Sequence, residues 1–315
     1  MATGDVPPAL VEAEERDWSE MTPACLSEAF SRLGLEDLWR GAMACCRAWR
    51  DAAVSHPELF AALDLEPAFA TVGADAAHWW TPAFQRRVDA MLRSASSLAA
   101  GELREVRVRH CSDDSLAFAA ERSPKINILS IRSSPSVSDR SMLIVASCCH
   151  FLTELDISYC HEVSYKSLEI IGQNCPNLVV LKRNIFNWLD SSEHIGIVPD
   201  DYLRDCPQDG DREAIAISKF MQNLKHLVIR FSKLSVVGLK AISEGCKELE
   251  VLDLYGCANL TLRGIQQATS SMKNLKELEK PNFYIPRSSF HMGRYGHWQL
   301  YDERFQTNWH DRTMG

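Results

Sequence analysis

Apolar residues along most of the chain recur in a short pattern, L-x-x-L-x-L, that returns at nearly constant intervals. Leu152-Leu155-Ile157 and Leu249-Leu252-Leu254 are clear copies. The first residues of seven copies lie 23 to 26 residues apart, with one interval of 46: Leu103, Ile126, Leu152, Leu178, Leu224, Leu249 and Leu275. Alternating apolar positions predict that each copy contains a short strand with one buried face.

Helical patterns separate these strands, as in Ser167–Ile171 and Gly238–Ile242. A single strand-plus-helix unit cannot bury its own apolar face, so neighbouring units must stack and share a core. The sequence therefore predicts an α/β solenoid over residues 60–280. The interval of 46 equals one period plus an insertion, which we place at about 184–213.

Cysteines occupy repeated places in this pattern. Three follow a strand (Cys111, Cys160 and Cys257), and three precede the next copy by three residues (Cys149, Cys175 and Cys246). A free cysteine behaves as a small buried apolar residue. The odd total of 11 and the lack of C-x-x-C argue against disulfides and zinc. We predict packing rather than metal or redox chemistry, and no cofactor.

Residues 18–59 have a different pattern, which predicts three short helices. Leu26, Phe30 and Leu33 have helical spacing after Thr22-Pro23, and Leu35, Leu38 and Ala42 define a second helix. A third helix is expected over Cys45–Val54. About 40 residues bury little core alone. We therefore expect this module to lean on a partner or on the repeats.

Both parts resemble known families. The repeats are similar to the cysteine-containing type of leucine-rich repeat, and residues 18–59 resemble an F-box. Met21-Thr22-Pro23, Asp37-Leu38 and the ending Cys45-Cys46-Arg47-Ala48-Trp49 carry the F-box resemblance. Met21-Thr22 and Ala29 depart from that pattern, where Leu-Pro and Ile are usual. A generic helical cap on the solenoid is the alternative interpretation.

From Trp18 to Pro281 the chain looks like plant F-box/leucine-rich-repeat proteins of the Skp-interacting-partner group, with which it shares Asp156-Ile157-Ser158-Tyr159 and Leu181–Asn184. This resemblance implies a receptor that docks a Skp-type adaptor, and through it cullin and RING subunits, while the repeats hold a target protein. The implied adaptor-binding residues are Met21, Pro23, Leu26, Phe30, Leu33, Leu38, Cys46 and Trp49. For Trp49, a place in the internal core is an equal alternative.

Positions that flank the apolar residues of each strand are expected on the concave side of the solenoid. The candidate target-binding residues there are Arg107, Arg109, Arg132, Asp156, Lys182, Arg230, Asp253 and Tyr255. Arginines in one column could hold a carboxylate or a phosphate through paired hydrogen bonds. Alternatively, these side chains are simply solvated.

Charge is unevenly distributed. The net charge is −8, which argues against binding nucleic acid through its phosphates. Residues 1–60 contain 11 acidic and 5 basic residues, and residues 184–213 contain 8 and 2. We expect residues 1–17 to be disordered and the insertion to be either functional or disordered. The aromatic segment 281–315 is predicted to cap the last repeat, or else to contact the target.

Motifs of common enzymes, such as G-x-S-x-G, H-E-x-x-H and nucleotide-binding loops, do not occur in the sequence. We therefore expect a non-enzymatic protein. The sequence has neither a secretory signal pattern nor a long apolar run, so we expect no membrane partner and a place in the cytoplasm or nucleus. Three hypotheses remain open: a ubiquitin-ligase receptor, a small-molecule-dependent receptor of that class, and a scaffold without a role in degradation.

Overall fold

The computed structural model describes residues 21–70, 76–188, 190, 194–204 and 208–281. The predicted acidic segment 1–17 and nearly all of the aromatic segment 281–315 lie outside the described residues. The chain divides into two compact units between Leu59 and Phe60.

The first unit is helical. It contains α1 (Pro23–Phe30), a π-helical stretch (Asp37–Ala42) that continues into α2 (Met43–Cys45), and α3 (Arg47–Val54). Thr22 caps α1, because its hydroxyl accepts a hydrogen bond from the Cys25 amide at 3.4 Å, and Pro23 fits the first helical position. The Cys46 thiol accepts from the Trp49 amide at 3.5 Å and begins α3.

The second unit is built on one parallel sheet whose eight strands follow each other in chain order. The strands are β1 (Ala62–Asp64), β2 (Glu105–Arg107), β3 (Ile128–Ser130), β4 (Glu154–Asp156), β5 (Val180–Lys182), β6 (His226–Val228), β7 (Val251–Asp253) and β8 (Glu277–Glu279). This unbroken order confirms the predicted solenoid.

Helices connect successive strands. They are α4 (Glu66–Ala70), α5 (Pro82–Leu98), α6 (Asp113–Arg122), α7 (Asp139–Cys148), α8 (Tyr165–Asn174), α9 (Asp200–Arg204), α10 (Gly210–Phe220), α11 (Val236–Gly245) and α12 (Leu262–Thr269). Helix α10 begins at Gly210, within the range predicted for the insertion. Asp209 caps that helix by accepting from the Arg212 amide at 3.1 Å.

The middle residue of every strand points into the core. These residues are in register from Leu63 through Leu155 to Leu278. From β1 to β7 they are at most 1% exposed, whereas Leu278 on the last strand is half-buried. The residues before and after each middle residue therefore lie on the opposite face, which we call the outer strand face.

A left-handed residue follows several strands at a constant distance of three positions. His110, Ser133, Tyr159 and Phe231 adopt φ values of 50° to 63°, and Gly256 adopts 72°. A Cβ atom on Gly256 would lie 2.3 Å from the Phe231 ring, so glycine is required there. Ile185, the equivalent residue after β5, lacks a positive φ, and the chain leaves the repeat pattern at this point.

Five of the six buried cysteines donate to a backbone carbonyl of the preceding repeat, whereas the Cys111 thiol contacts the Ser134 hydroxyl of the next one. The Cys160 thiol donates to the Ile131 carbonyl at 3.0 Å, and Cys257 donates to that of Ile229 at 3.1 Å. Burial raises the pKa of Cys160 to about 12, so this thiol stays protonated. Among the described cysteines all ten are free.

Carboxylates tie successive helices together at their first turns. Asp113 accepts from the amide and the hydroxyl of Ser138, and Asp139 accepts from the same two groups of Ser164, at 2.6 to 2.8 Å. Asp211 holds Ser235 in the same way. Each serine caps its own helix, so every contact fixes both a cap and the neighbouring repeat.

Candidate functional site

Three of the predicted adaptor anchors form the core of the helical unit. Leu26, Phe30 and Leu38 are only 1–3% exposed. The prediction that their side chains face an adaptor is therefore corrected: a module this small needs its largest apolar side chains for its own core.

Apolar surface remains outside this core. Leu33 is 41% exposed, Val54 is 45% exposed, and Pro23 is exposed. Met21, Cys46 and Trp49 are half-buried. Sequence reasoning missed Val54, because its place at the end of a helix gives no signal that distinguishes a core residue from a surface residue.

Trp49 combines the two alternatives that the sequence left open. Its ring meets Phe30 edge-on, with ring centroids 5.5 Å apart, so one side of the indole belongs to the core. The side chain is nevertheless half-buried rather than buried. Trp49 thus packs inside the unit and also reaches its surface.

Register on the outer strand face brings the predicted target-binding residues into adjacent positions. Arg107, Ser130, Asp156 and Lys182 are paired across β2 to β5, and Asp253 lies in the same column. A further column begins each strand and contains Glu105 and Glu154, which are not among the predicted target-binding residues. These two glutamates matter because they pair with the predicted cations.

The first ion-pair group is centred on Glu66, at the start of α4. The Arg109 guanidinium donates to both carboxylate oxygens, one of them at 2.9 Å, and Arg132 lies 3.7 Å away. Burial alone would raise the pKa of Glu66, but the hydrogen bonds and charge of Arg109, with Arg132, hold the pKa below its usual value. The chain itself therefore supplies the carboxylate that these arginines hold.

The other predicted cations are also paired. Arg107 donates to Glu105 and lies 3.5 Å from Glu154, which accepts from Lys182 at 2.8 Å. Arg230 donates to Asp253 at 2.7 Å, and its guanidinium lies 5.8 Å from the centroid of the Tyr255 ring. The outer strand face therefore presents a pattern of neutralised pairs rather than a block of one charge.

Asp156 and Asp253 have structural contacts as well. Each is buried, and each accepts a hydrogen bond at 3.0 Å from the backbone amide two residues ahead, those of Ser158 and Tyr255. Burial raises the pKa of Asp156 despite the Ser158 hydrogen bonds. These hydrogen bonds hold the backbone of the two residues that follow β4 and β7.

A depression of about 650 Å³ lies at the end of this face, over β7 and β8. Arg230, Tyr255 and Leu278 are among its lining residues, with Asp253 and Glu279. Three predicted target-binding residues, Arg230, Asp253 and Tyr255, thus line one depression.

The insertion after β5 is anchored by aromatic contacts. Phe186 stacks on Tyr159 with ring centroids 4.6 Å apart. The Tyr202 hydroxyl donates to the Tyr159 carbonyl and accepts from the His161 amide at 3.2 Å. Trp80 belongs to the segment between β1 and α5, and the centroid of its ring lies 4.9 Å from that of the Tyr202 ring. Both long connections of the repeat unit therefore meet at one edge of the sheet.

Several acidic residues of the predicted insertion have structural roles. Asp209 caps α10, Asp211 holds Ser235, and Glu213 is buried beside Arg183. The Arg183 guanidinium donates to Glu213 at 3.0 Å and to the carbonyls of Cys160 and Val163 at 2.8 and 2.7 Å. Arg183 stands at the third apolar position of the copy that begins with Leu178, and it replaces a core residue there with a buried ion pair.

Among the residues that the structure describes, no cluster of three or more His, Cys, Asp and Glu side chains is arranged to hold a metal ion. The described helices likewise include none long and apolar enough to cross a membrane.

The chain is similar to F-box proteins along nearly its whole length. F-box protein SKIP1 of Arabidopsis thaliana is 50% identical over 297 residues, which cover 94% of this chain and 98% of that protein. Putative F-box/LRR-repeat protein 19 of the same organism is 42% identical over 280 residues, or 89% of this chain and 92% of that protein. No family model matches the chain.

Among solved structures, the tropomodulin C-terminal domain of Caenorhabditis elegans aligns with a TM-score of 0.35 and 15% identity, covering 51% of this chain and 92% of that domain. The two Arabidopsis relatives, each above 40% identity and matched over more than nine-tenths of their own length, carry the assignment. The chain belongs to the plant F-box proteins with leucine-rich repeats.

Proposed function

We propose that this protein is the substrate-recognition subunit of an SCF (Skp-cullin-F-box) ubiquitin ligase. In this proposal the helical unit docks on a Skp-type adaptor, and the adaptor connects it to the cullin and RING subunits. The observation that carries the proposal is that one chain of the F-box family joins a helical unit to a repeat unit built on an eight-stranded sheet. Two Arabidopsis thaliana relatives, the F-box proteins SKIP1 and SKIP19, have names of the Skp-interacting-partner group, which supports a Skp-type adaptor as a partner.

The contribution of such a subunit to catalysis is proximity. Holding a target near the ubiquitin-loaded enzyme converts a bimolecular transfer into an effectively intramolecular one. This chain then needs binding surfaces rather than reacting groups. The target would be ubiquitinated and passed to the proteasome, in the cytoplasm or the nucleus.

The adaptor surface is proposed to consist of the apolar side chains that the helical unit leaves exposed, chiefly Pro23, Leu33 and Val54, with Met21 and Trp49 at half-burial. Few residues of an interface carry most of its binding energy, and large apolar and aromatic side chains are common among them. Leu26, Phe30 and Leu38 support this surface from below.

The target surface is proposed on the outer strand face, where Arg107, Arg109, Arg132, Lys182 and Arg230 are each paired with a carboxylate. Each cation there already has a carboxylate of this chain as its partner, so replacing that carboxylate by one from a target would change the net charge little. Recognition would therefore depend on the spacing of the charged pairs. The depression beside Tyr255 favours a second candidate, in which a small molecule helps to hold the target.

The test is the affinity of the purified chain for a Skp-type adaptor, measured by calorimetry. We expect Leu33→Asp to weaken binding by at least about tenfold, since a charge replaces an apolar contact at the interface. The matched control is Val237→Asp, a substitution at a residue that is 68% exposed in the repeat unit. The control should bind as the wild type does.

No binding by the wild type would contradict the proposed receptor and favour a scaffold. Equal affinity of wild type and Leu33→Asp would place the adaptor surface elsewhere than at Leu33. If the adaptor binds and target capture is lost only after exhaustive dialysis, the small-molecule-dependent receptor is supported instead.

A further inference from the structure

Helix α5 has a solvent-facing side that carries arginine and no carboxylate. Arg86 and Arg87 are exposed and Arg93 is half-buried, whereas Val88 and Leu92 are buried in the core. The other exposed residues of this side are small: Ala83, Ala90, Ser94 and Ser97. Because these neighbours are small, the guanidinium groups are the most prominent groups on the exposed side of the helix.

The single acidic residue of α5, Asp89, faces the neighbouring repeat instead. Its carboxylate accepts a hydrogen bond from the Ser112 amide at 2.9 Å and another from the Ser115 hydroxyl at 2.6 Å. These bonds hold Asp89 against the first turn of α6. The helix therefore uses its one carboxylate for internal packing.

The cationic surface continues from α5 onto α6. Arg93 of α5 and Arg122 of α6 both lie over the Phe118 ring, with their guanidinium carbon atoms 5.0 and 4.7 Å from its centroid. Contacts between a cation and an aromatic ring orient the guanidinium group and leave its charge in place. Phe118 thus brings the two arginines into one surface.

We call the four residues Arg86, Arg87, Arg93 and Arg122 the α5–α6 arginine face. Within the part of the chain that the structure describes, none of the four forms an ion pair with a carboxylate. On the outer strand face, by contrast, the predicted target-binding cations are paired. An arginine without an internal partner can offer its forked donors to a carboxylate of another molecule.

Helix geometry sets the distance between these donors. Arg86 and Arg93 are seven residues apart, so they lie on the same side of α5, about 10 Å from each other along its axis. An extended chain advances about 3.3 Å per residue. Carboxylates at every third position of an extended segment would therefore match the spacing of these two arginines.

We propose that the α5–α6 arginine face is a docking surface for an acidic, extended segment of another protein, with Asp or Glu at every third position. Charge complementarity selects this occupant. The net charge of −8 opposes the approach of a long polyanion such as DNA, whereas a short acidic segment would cover only this face. The inference does not depend on the proposed function, because this surface lies on helices and not on the outer strand face.

The experiment measures the binding of two fluorescein-labelled peptides to the full-length chain by fluorescence anisotropy. One peptide has Asp at every third position in a background of Gly and Ser, and the other has Asn at the same positions. We expect the Asp peptide to bind at least about tenfold more tightly. Its affinity should fall at about 0.5 M NaCl, because salt screens exposed charges.

The double variant Arg86→Gln/Arg93→Gln should bind the Asp peptide at least about threefold more weakly, because two charge-assisted contacts are lost. The matched control is Arg212→Gln/Lys240→Gln, which removes the same charge from exposed residues that already have carboxylate partners. The control should bind as the wild type does. Glutamine is as good a helix former as arginine or lysine, and circular dichroism checks that both variants keep the fold.

Equal binding of the Asp and Asn peptides, or equal binding by the arginine and control variants, would overturn the proposal. Tighter binding of the wild type to duplex DNA or to phosphatidylserine vesicles than to the Asp peptide would also overturn it, because the occupant would then be another polyanion.

This chain contains acidic residues of its own before residue 21, and the test must exclude them as the occupant. Neutralising them by Glu12→Gln/Glu14→Gln/Glu15→Gln/Asp17→Asn in the full-length chain should leave the affinity for the Asp peptide unchanged. If this variant binds the peptide at least about tenfold more tightly, the chain's own segment occupies the face and the proposal is wrong.

Discussion

At the scale of the residue, Arg183 shows how one side chain can contradict a pattern and still fit the fold. It stands at an apolar position of the repeat and is 2% exposed. Glu213 and three backbone carbonyls, among them that of Cys160, accept its hydrogen bonds. The sequence showed the interruption but not the partner, because Glu213 lies 30 residues away and beyond the insertion.

Arg183→Met should lower the free energy of unfolding by about 3–5 kcal/mol, since it leaves a carboxylate buried without its charge partner. Urea denaturation monitored by circular dichroism measures this loss. The control is Arg212→Ala, which removes an exposed pair with Asp209 and should cost about 0–1 kcal/mol. If both variants lose a similar free energy of unfolding, the buried pair does not stabilise the protein more than the exposed pair does.

The cysteines give a second test at this scale. Cys25 and Cys45 are exposed, whereas burial raises the pKa of Cys111 and Cys160 to about 12. Because the thiolate is the reactive form, iodoacetamide at about pH 8 should label the first two and spare the second two until the chain is unfolded. Mass spectrometry of the labelled peptides gives the answer. Rapid labelling of Cys160 in the folded protein would contradict the packing role.

At the scale of the element, the ladder of aspartates and serines links helices that pack side by side. Hydrogen bonds from Ser164 and Ser167 hold the pKa of Asp139 below its usual value, although burial acts in the opposite direction. A depressed folded-state pKa stabilises the fold above the unfolded pKa of about 3.9, and this stabilisation is lost as the pH falls through the folded value.

Asp139→Asn should therefore lower stability at neutral pH, by about 1–3 kcal/mol, because hydrogen bonds to a charged acceptor are lost. Between about pH 6 and pH 3 the variant should lose less stability than the wild type. Urea midpoints across this range measure both effects. Asp114→Asn, at an exposed position of α6, is the control. If Asp139→Asn and the wild type lose the same stability between about pH 6 and pH 3, the role of Asp139 is contradicted.

The same scale shows how far sequence reasoning reaches. The repeat spacing predicted seven of the eight strands, β2 to β8, and their common buried face, because these depend on local periodicity. It did not predict that Glu154 pairs with Arg107 and Lys182, because that depends on register between strands. Nor did it separate Leu26 from Leu33, since both fit a helical apolar pattern and only tertiary packing buries one.

At the scale of the whole molecule, two units with different surfaces are joined in one chain. The helical unit leaves Leu33 and Val54 exposed, and the repeat unit presents paired charges on its outer strand face. A receptor in a ubiquitin ligase needs one surface for the adaptor and another for the target. The proposed function therefore predicts that one molecule of this protein binds the adaptor and the target at the same time.

The most direct measurement is proximity labelling in cells, with and without a proteasome inhibitor, by the wild type and by Leu33→Asp. The account predicts proteins that accumulate near the wild type only when the proteasome is inhibited, because otherwise they are degraded. Near Leu33→Asp, the same proteins should be labelled equally with and without the inhibitor. The same response of the two chains would place Leu33 outside the adaptor surface. If no labelled protein responds to the inhibitor, the receptor function is contradicted.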